Sequence, residues 1–242
     1  MGRMATPRKS RKTAAPAPAR RRLPLRAYVL RAVLGLVAAV ILMTLLYKLI
    51  NPPTTPYMFA EGRRLGGVQQ DWVAMDRIAP VMARSAVAAE DANFCLHWGL
   101  DVTAIRAALA AGGDRGASTI SQQVVKNLFL WQGRNWTRKA LEAVWTPLTE
   151  ALWSKRRILE LYLNIAEFGT GVFGVQAAAQ HYFGVDAADL TNVQAARLAM
   201  VLPDPKGRDA ANPTAAQRRR SSSILDGAAT IQADGRAACF ES

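Results

Sequence analysis

Acidic residues are missing altogether from the first 48 positions, histidine occurs only twice, and the alternating apolar and polar runs that strands need are nearly absent. Each absence removes a class of protein. A formal charge of +13 would suit a nucleic-acid binder if it covered a folded surface, but 11 of the 31 basic residues lie before position 49, where nothing offsets them. The rest of the chain holds 20 basic against 18 acidic groups, net +2, too little for the positive field that phosphate backbones attract. No nucleic-acid partner is expected. His97 and His181 have no companions at metal-ligand spacing and read as structural. Gly169 to Gly174 spells G-x-G-x-x-G, with Asp189 downstream, yet it follows a helical pattern instead of a strand, so a dinucleotide fingerprint is rejected.

What is present divides the chain. Residues 1–26, made largely of Arg, Lys, Ala and Pro, offer little to bury and read as a basic disordered tail. Residues 27–50 are long and apolar enough for a transmembrane helix, with Arg31 and Lys48 near its ends. The flanking charge lies on the N-terminal side, which puts the tail in the cytoplasm and everything after Asn51 outside. A long leader and the absence of an Ala-x-Ala site before Asn51-Pro52-Pro53 favour an uncleaved anchor over a signal peptide. Residues 51–75 read as an irregular connector, 76–232 as one enzyme-sized domain and 233–242 as a loose C-terminal tail.

Within the domain, helical spacing predicts helices near 77–90, 102–111, 119–130, 138–153, 155–164, 172–182, 192–202 and 215–231, a mainly α fold. Asp101, Ser118 or Thr119, Thr137 and Thr191 stand where N-caps belong, and Pro147 should kink its helix. Cys95 and Cys239 both fall on the outer side, where disulfides persist. A bridge tying the C-terminal tail to the region of Cys95 and a pair of buried free thiols fit equally.

Four segments carry candidate chemistry: Glu90-Asp91-Ala92-Asn93-Phe94-Cys95-Leu96-His97-Trp98-Gly99, Gly116-Ala117-Ser118-Thr119 running to Lys126-Asn127, Arg138-Lys139-Ala140-Leu141-Glu142, and Lys155 to Asn164. The second places a glycine turn before a helix whose free N–H groups, with Ser118, Gln123 and Lys126, suit anionic oxygens. In the third, Arg138 precedes Glu142 by one turn, the less favourable order for a simple helix-stabilising pair. Any one has a bland reading as a helix end, a cap or a surface salt bridge.

In this order and spacing, from about Ala74 to Arg220, they resemble the glycosyltransferase domain of peptidoglycan synthases, in its monofunctional biosynthetic form. Gly169 to Gly174, His181-Tyr182-Phe183-Gly184 and Ala195 to Pro203 extend the likeness. Ala117 departs from it, since the family has a second glycine there. No Ser-x-x-Lys or Lys-Thr-Gly occurs, so the transpeptidase half of bifunctional synthases is missing. The resemblance implies a lysozyme-like fold, with lipid II and the growing glycan chain as substrates at the outer face of the inner membrane. It implies Glu90 as general base and Glu142 as a second acid, with Asp91, Phe94, Ser118, Gln123, Lys126, Asn127, Arg138 and Lys155 serving the substrate. No cofactor is obligatory; a divalent cation such as magnesium at Glu142 is the one option. Membrane lipids, other wall synthases and division proteins are the expected partners. A lytic transglycosylase, which also uses a lone glutamate, and a non-enzymatic division scaffold are the alternatives. Leu128 to Trp131 and Trp136 are either a stretch that dips into the outer leaflet or ordinary core.

Overall fold

The structure is a computed structural model that describes residues 1–2, 24–110, 112, 118–133 and 135–241. The basic tail, the glycines at 113 and 116 and the Ala117 departure therefore lie outside the described residues. Two compact units are distinguished, Met1–Leu42 and Met43–Ser242. Helix α1 (Leu25–Leu49) has a mean hydropathy of 2.5 over its most apolar stretch and leaves nearly all of that stretch exposed. At about 1.5 Å per residue its 25 residues exceed the roughly 30 Å of a bilayer core. By length and composition the helix fits a single-pass membrane anchor.

The second unit is mainly α. After α2 (Pro56–Leu65) come α3 (Pro80–Glu90), α4 (Val102–Ala110), α5 (Ile120–Phe129), α6 (Trp136–Leu152), α7 (Lys155–Ile165), α8 (Val175–Phe183), α9 (Asn192–Val201), α10 (Ala215–Ala233) and the short α11 (Ala238–Glu241). A small sheet of β1 (Gln69–Gln70), β2 (Glu167–Gly169) and β3 (Val172–Phe173), in the order β1-β3-β2, completes it. The C-terminal half of α7 is buried on every side, with Ile158, Leu159, Leu161, Tyr162, Leu163 and Ile165 in the core. α5 and α6 pack on one flank, while α3, α9 and α10 form a second cluster. Its polar first turn, Lys155-Arg156-Arg157, stays partly exposed, while the apolar residues after it place the rest of the helix at the centre of the domain.

The caps follow chemistry available in the sequence. Asp101 Oδ1 accepts from the Ala104 N–H at 2.8 Å, and Thr119 and Thr191 form capping boxes with Gln122 and Gln194. Asn135, not Thr137, caps α6, and Pro147 lies inside that helix without ending it. The Gly169–Gly174 run forms the β2–β3 hairpin instead of a phosphate loop. Gly174 has φ +80°, and a Cβ there would stand 2.8 Å from the Asn164 carbonyl oxygen, so only glycine fits.

Two boundaries are corrected. The connector expected to be irregular contains α2, which Thr55 caps by accepting from the Met58 N–H, which Pro56 opens and which Gly66 closes in the left-handed region. Tyr57 hydrogen-bonds Glu167, and β1 pairs in parallel with β3, so residues 55–75 belong to the domain. Proline and glycine, common in loops, at these positions start and stop a helix. The tail expected to be loose is folded as well: Gly235 turns the chain at φ +76°, Phe240 is fully buried and Cys239 is bonded to Cys95.

Candidate active site

Helix α3 stops at Glu90 because Asp91 turns to φ −159° and spends its side chain elsewhere. Asp91 Oδ1 lies 2.8 Å from His97 Nε2, and Oδ2 accepts the Ile120 N–H, one of the unpaired donors of the first turn of α5, at 3.0 Å. Thr119 donates its hydroxyl to the Gly99 carbonyl at 2.6 Å. The turn after α3 and the start of α5 are thus one unit. Gly99, at φ +80°, lies so close to α6 that a Cβ would meet Thr146 at 2.5 Å.

This arrangement aims one face of α5 at Glu90. Gln123 Nε2 donates to Glu90 Oε2 at 2.7 Å, and Lys126 follows one turn later. Both side chains line a cavity of about 680 Å³, shared with Ser118 and with Arg138, Lys139 and Glu142 of α6. Glu90 stands one hydrogen bond behind that lining. Glu142 is almost completely buried, its Oε1 held by Arg138 and its Oε2 by Lys139 at 3.1 Å. Lys139 also donates to Ser118 Oγ at 3.0 Å, and Arg138 Nε donates to the Gly133 carbonyl at 3.0 Å. Three cations face one carboxylate there, and Lys126 has no ion pair among the described residues.

The electrostatics follow from burial. Glu90 is held above the usual carboxylate range chiefly because it is buried, with the Gln123 hydrogen bond and the charges of Arg220, Lys126 and Arg208 opposing. Lys126 is pushed down, first by burial and then by Arg138, while Glu90 resists. Lys139 is lowered by burial and by its neighbours Arg138 and Lys126. An excess of buried positive charge attracts a polyanion, and a carboxylate with a raised pKa beside it is a stronger base than an ordinary one.

The sequence-predicted residues separate into two sets. Ser118, Gln123, Lys126, Arg138 and Glu142 share the cavity, with Glu90 and Asp91 joined to its wall. Phe94, Asn127 and Lys155 do not line it. Phe94 is fully buried against Phe240 and His97. Asn127 accepts from Gln132. The Lys155 ammonium donates at 2.8 Å to both the His97 carbonyl and Glu150, and lies 4.4 Å from the Phe94 ring centroid. Lys139 was missed, although its place three residues before Glu142 is a helix-neighbour signal. Arg208 and Arg220, distant in sequence, gave no local sign of approaching Glu90.

Tertiary contact gathers Asp91, His97 and Asp101 within 4.8 Å, which spacing alone did not suggest, but hydrogen bonds to Ile120, Asn93 and Ala104 already occupy the two carboxylates. At Glu142 both oxygens are engaged by cations, so the donor set there does not fit a divalent ion. The apolar stretch divides as well. Leu128 and Leu130 are buried and Phe129 stacks on Trp145 at 4.3 Å, whereas Trp131 is exposed and Trp136 is 91% exposed.

A family model described as Transglycosylase matches residues 60–229. The chain is 61% identical over 216 residues to a biosynthetic peptidoglycan transglycosylase of Jannaschia sp. (strain CCS1), covering 89% of this chain and 90% of the relative. Proteins of the same name from Xanthomonas oryzae pv. oryzae and Caulobacter vibrioides are 50% and 44% identical, covering 85% and 89% of this chain and 88% and 96% of their own lengths. On sequence, fold and cleft together, the chain belongs to the biosynthetic peptidoglycan transglycosylase family.

Proposed function

We propose that the protein polymerises peptidoglycan glycan strands. The C4 hydroxyl of lipid II attacks the anomeric carbon of a growing chain, which leaves its polyprenyl pyrophosphate. Glu90 takes the hydroxyl proton as the new glycosidic bond forms and the bond to pyrophosphate breaks. A single displacement of this kind inverts the anomeric centre. Lys126, Arg138 and Lys139 receive the charge that develops on the leaving group, Arg138 through the N–H donors not given to Gly133 and Glu142. Glu142 keeps Arg138 and Lys139 in register, and Asp91 fixes the turn that carries Glu90. The observation that carries this reading is a buried carboxylate standing behind one wall of a cavity lined by three cations. A lytic enzyme, whose leaving groups are uncharged sugars, has no use for such a set. No step is routed through a metal ion.

The basic tail before α1 favours an inner-membrane orientation with the catalytic domain on the periplasmic side, where the Cys95–Cys239 bridge is stable. Trp136, Leu141 and Val144 on α6 are exposed, and Trp145 of the same helix donates to Thr44 Oγ1 in the last turns of α1 at 2.9 Å. We read this apolar surface as resting in the outer leaflet, beside the lipid tails of both substrates.

The test supplies the purified full chain with lipid II in detergent. Polymer from wild type and a loss of about 10³-fold or more for Glu90→Gln is the expected result. Release of fragments from finished cell wall would support the lytic enzyme, and neither activity would leave a scaffold.

A further inference from the structure

We propose that the C-terminal strap, residues 235–241, is a positioning element for the catalytic turn, fastened by the Cys95–Cys239 bridge. It rests on the reading of Glu90 as the base. The last carbonyls of any helix have no partner within it, and α3 ends in the residue that must be held most firmly. Two guanidiniums from the C-terminal region bracket that end. Arg220 of α10 donates to the Ala89 carbonyl at 3.2 Å, and Arg236 donates to the Ala92 carbonyl at 2.9 Å. Glu90 and Asp91 lie between those two carbonyls. Cations at a helix C-terminus are favourable, so the pair both satisfies and charge-complements the site.

The strap continues the grip where the turn leaves α3. Gly235 reverses the chain after α10, Phe240 is fully buried with its ring 6.4 Å from that of Phe94, and Cys239 is bonded to Cys95. The strap is itself fixed from below: Arg156 donates to the Phe240 carbonyl at 3.0 Å, and Arg84 pairs with Glu241 at 2.5 Å. Residues 91–99 have no regular structure except one short 3-10 turn at Phe94–Leu96, so they cannot hold their shape through backbone hydrogen bonds alone. The turn is held at its start by Asp91, at His97 by Lys155 and at Cys95 by the strap.

The consequence is chemical as well as mechanical. Glu90 is faced by Gln123 and Lys126 from α5, Arg208 from the segment after α9, Arg220 from α10, buried Tyr162 from α7, and Asp91 beside it. Burial is the largest of the influences on it, so a loosened turn that admits water brings its pKa down towards the ordinary range.

The experiment compares the full-length chain with its Cys95→Ser/Cys239→Ser variant, in detergent, on lipid II. With the variant folded by circular dichroism, kcat is expected to fall about tenfold or more while KM stays within about twofold, since misplacing a catalytic group by an ångström costs rate more than affinity. The acidic limb of the pH–rate profile should move to lower pH, and Arg236→Ala in the same background should deepen the loss, with Arg236→Lys restoring part of it. Amide hydrogen exchange over residues 91–99 should accelerate in the variant, and equally in wild type treated with a phosphine reductant. That readout needs no catalysis, so it separates failure of the strap from failure of the assignment of Glu90. Unchanged turnover, pH limb and exchange in the folded variant would overturn the proposal. So would collapse of the whole fold on reduction, which would make the bridge a stability element only.

Discussion

Glu142 lines the cleft and Glu90 stands one hydrogen bond behind its wall, and their surroundings give them different tasks. Both oxygens of Glu142 are held by Arg138 and Lys139, so its charge is spent on fixing two cations at a set distance. Glu90 has an amide, Gln123, as its direct partner, and burial without a cation in contact holds its pKa up. A carboxylate clamped by cations is a poor base, because protonation must first compete with those charges. One that is dry and merely hydrogen-bonded is suited to accept a proton and release it again. The difference teaches that a carboxylate's role is decided by what touches its oxygens, since the residue type is the same.

The contrast can be broken from the cation side. Replacing Lys126 by Met removes a charge that stands towards both the leaving group and Glu90, and kcat should fall about 10²- to 10³-fold. The residual activity should show its acidic limb at higher pH, because the lysine's charge pulls the Glu90 pKa down and its loss leaves only Gln123, Arg220 and Arg208 to oppose burial. An unshifted limb in the pH–rate profile would mean that Glu90 and Lys126 do not sense one another. Glu142→Gln is a gentler change. Arg138 and Lys139 lose their shared anchor, and turnover should fall about tenfold while inorganic pyrophosphate, measured as a competitive inhibitor, binds more tightly. The smallest effect on activity is expected at Lys155. Lys155→Met, which touches the turn at His97 and Phe94 but not at Glu90, should lower polymerisation only a few fold and lower stability by about 1–3 kcal/mol in thermal melts, since it leaves Glu150 and the His97 carbonyl without their charged donor.

Much of this was legible in the residues. The anchor declared itself by length and hydropathy, and all eight expected helices lie within about three residues of their predicted bounds at each end, because capping and helical spacing are local properties. Helix α2 escaped because ten residues carrying Pro and Gly at their margins look like a loop until the cap geometry is visible. The strap escaped for another reason: its only apolar anchors, Ala237 and Phe240, gain their meaning from a cavity built by residues far away in sequence.

Glu90, Gln123, Lys126, Arg138 and Glu142 could be named from motif order, and Lys139 lay in plain view beside them. What spacing could not do was rank them. Phe94, Asn127 and Lys155 sit in the same motifs as residues of the cleft, yet their side chains turn into the core or to partners outside the cleft, as helical phase and packing dictate. The sequence alone determined the anchor, the helical class and the family-specific order of chemical groups, since these rest on local periodicity and composition. Only the tertiary structure decided which carboxylate stays free of cations, that Arg208 and Arg220 approach Glu90, and that Cys95 meets Cys239 across 144 residues. Burial and charge proximity are sums over neighbours that the chain brings together only by folding.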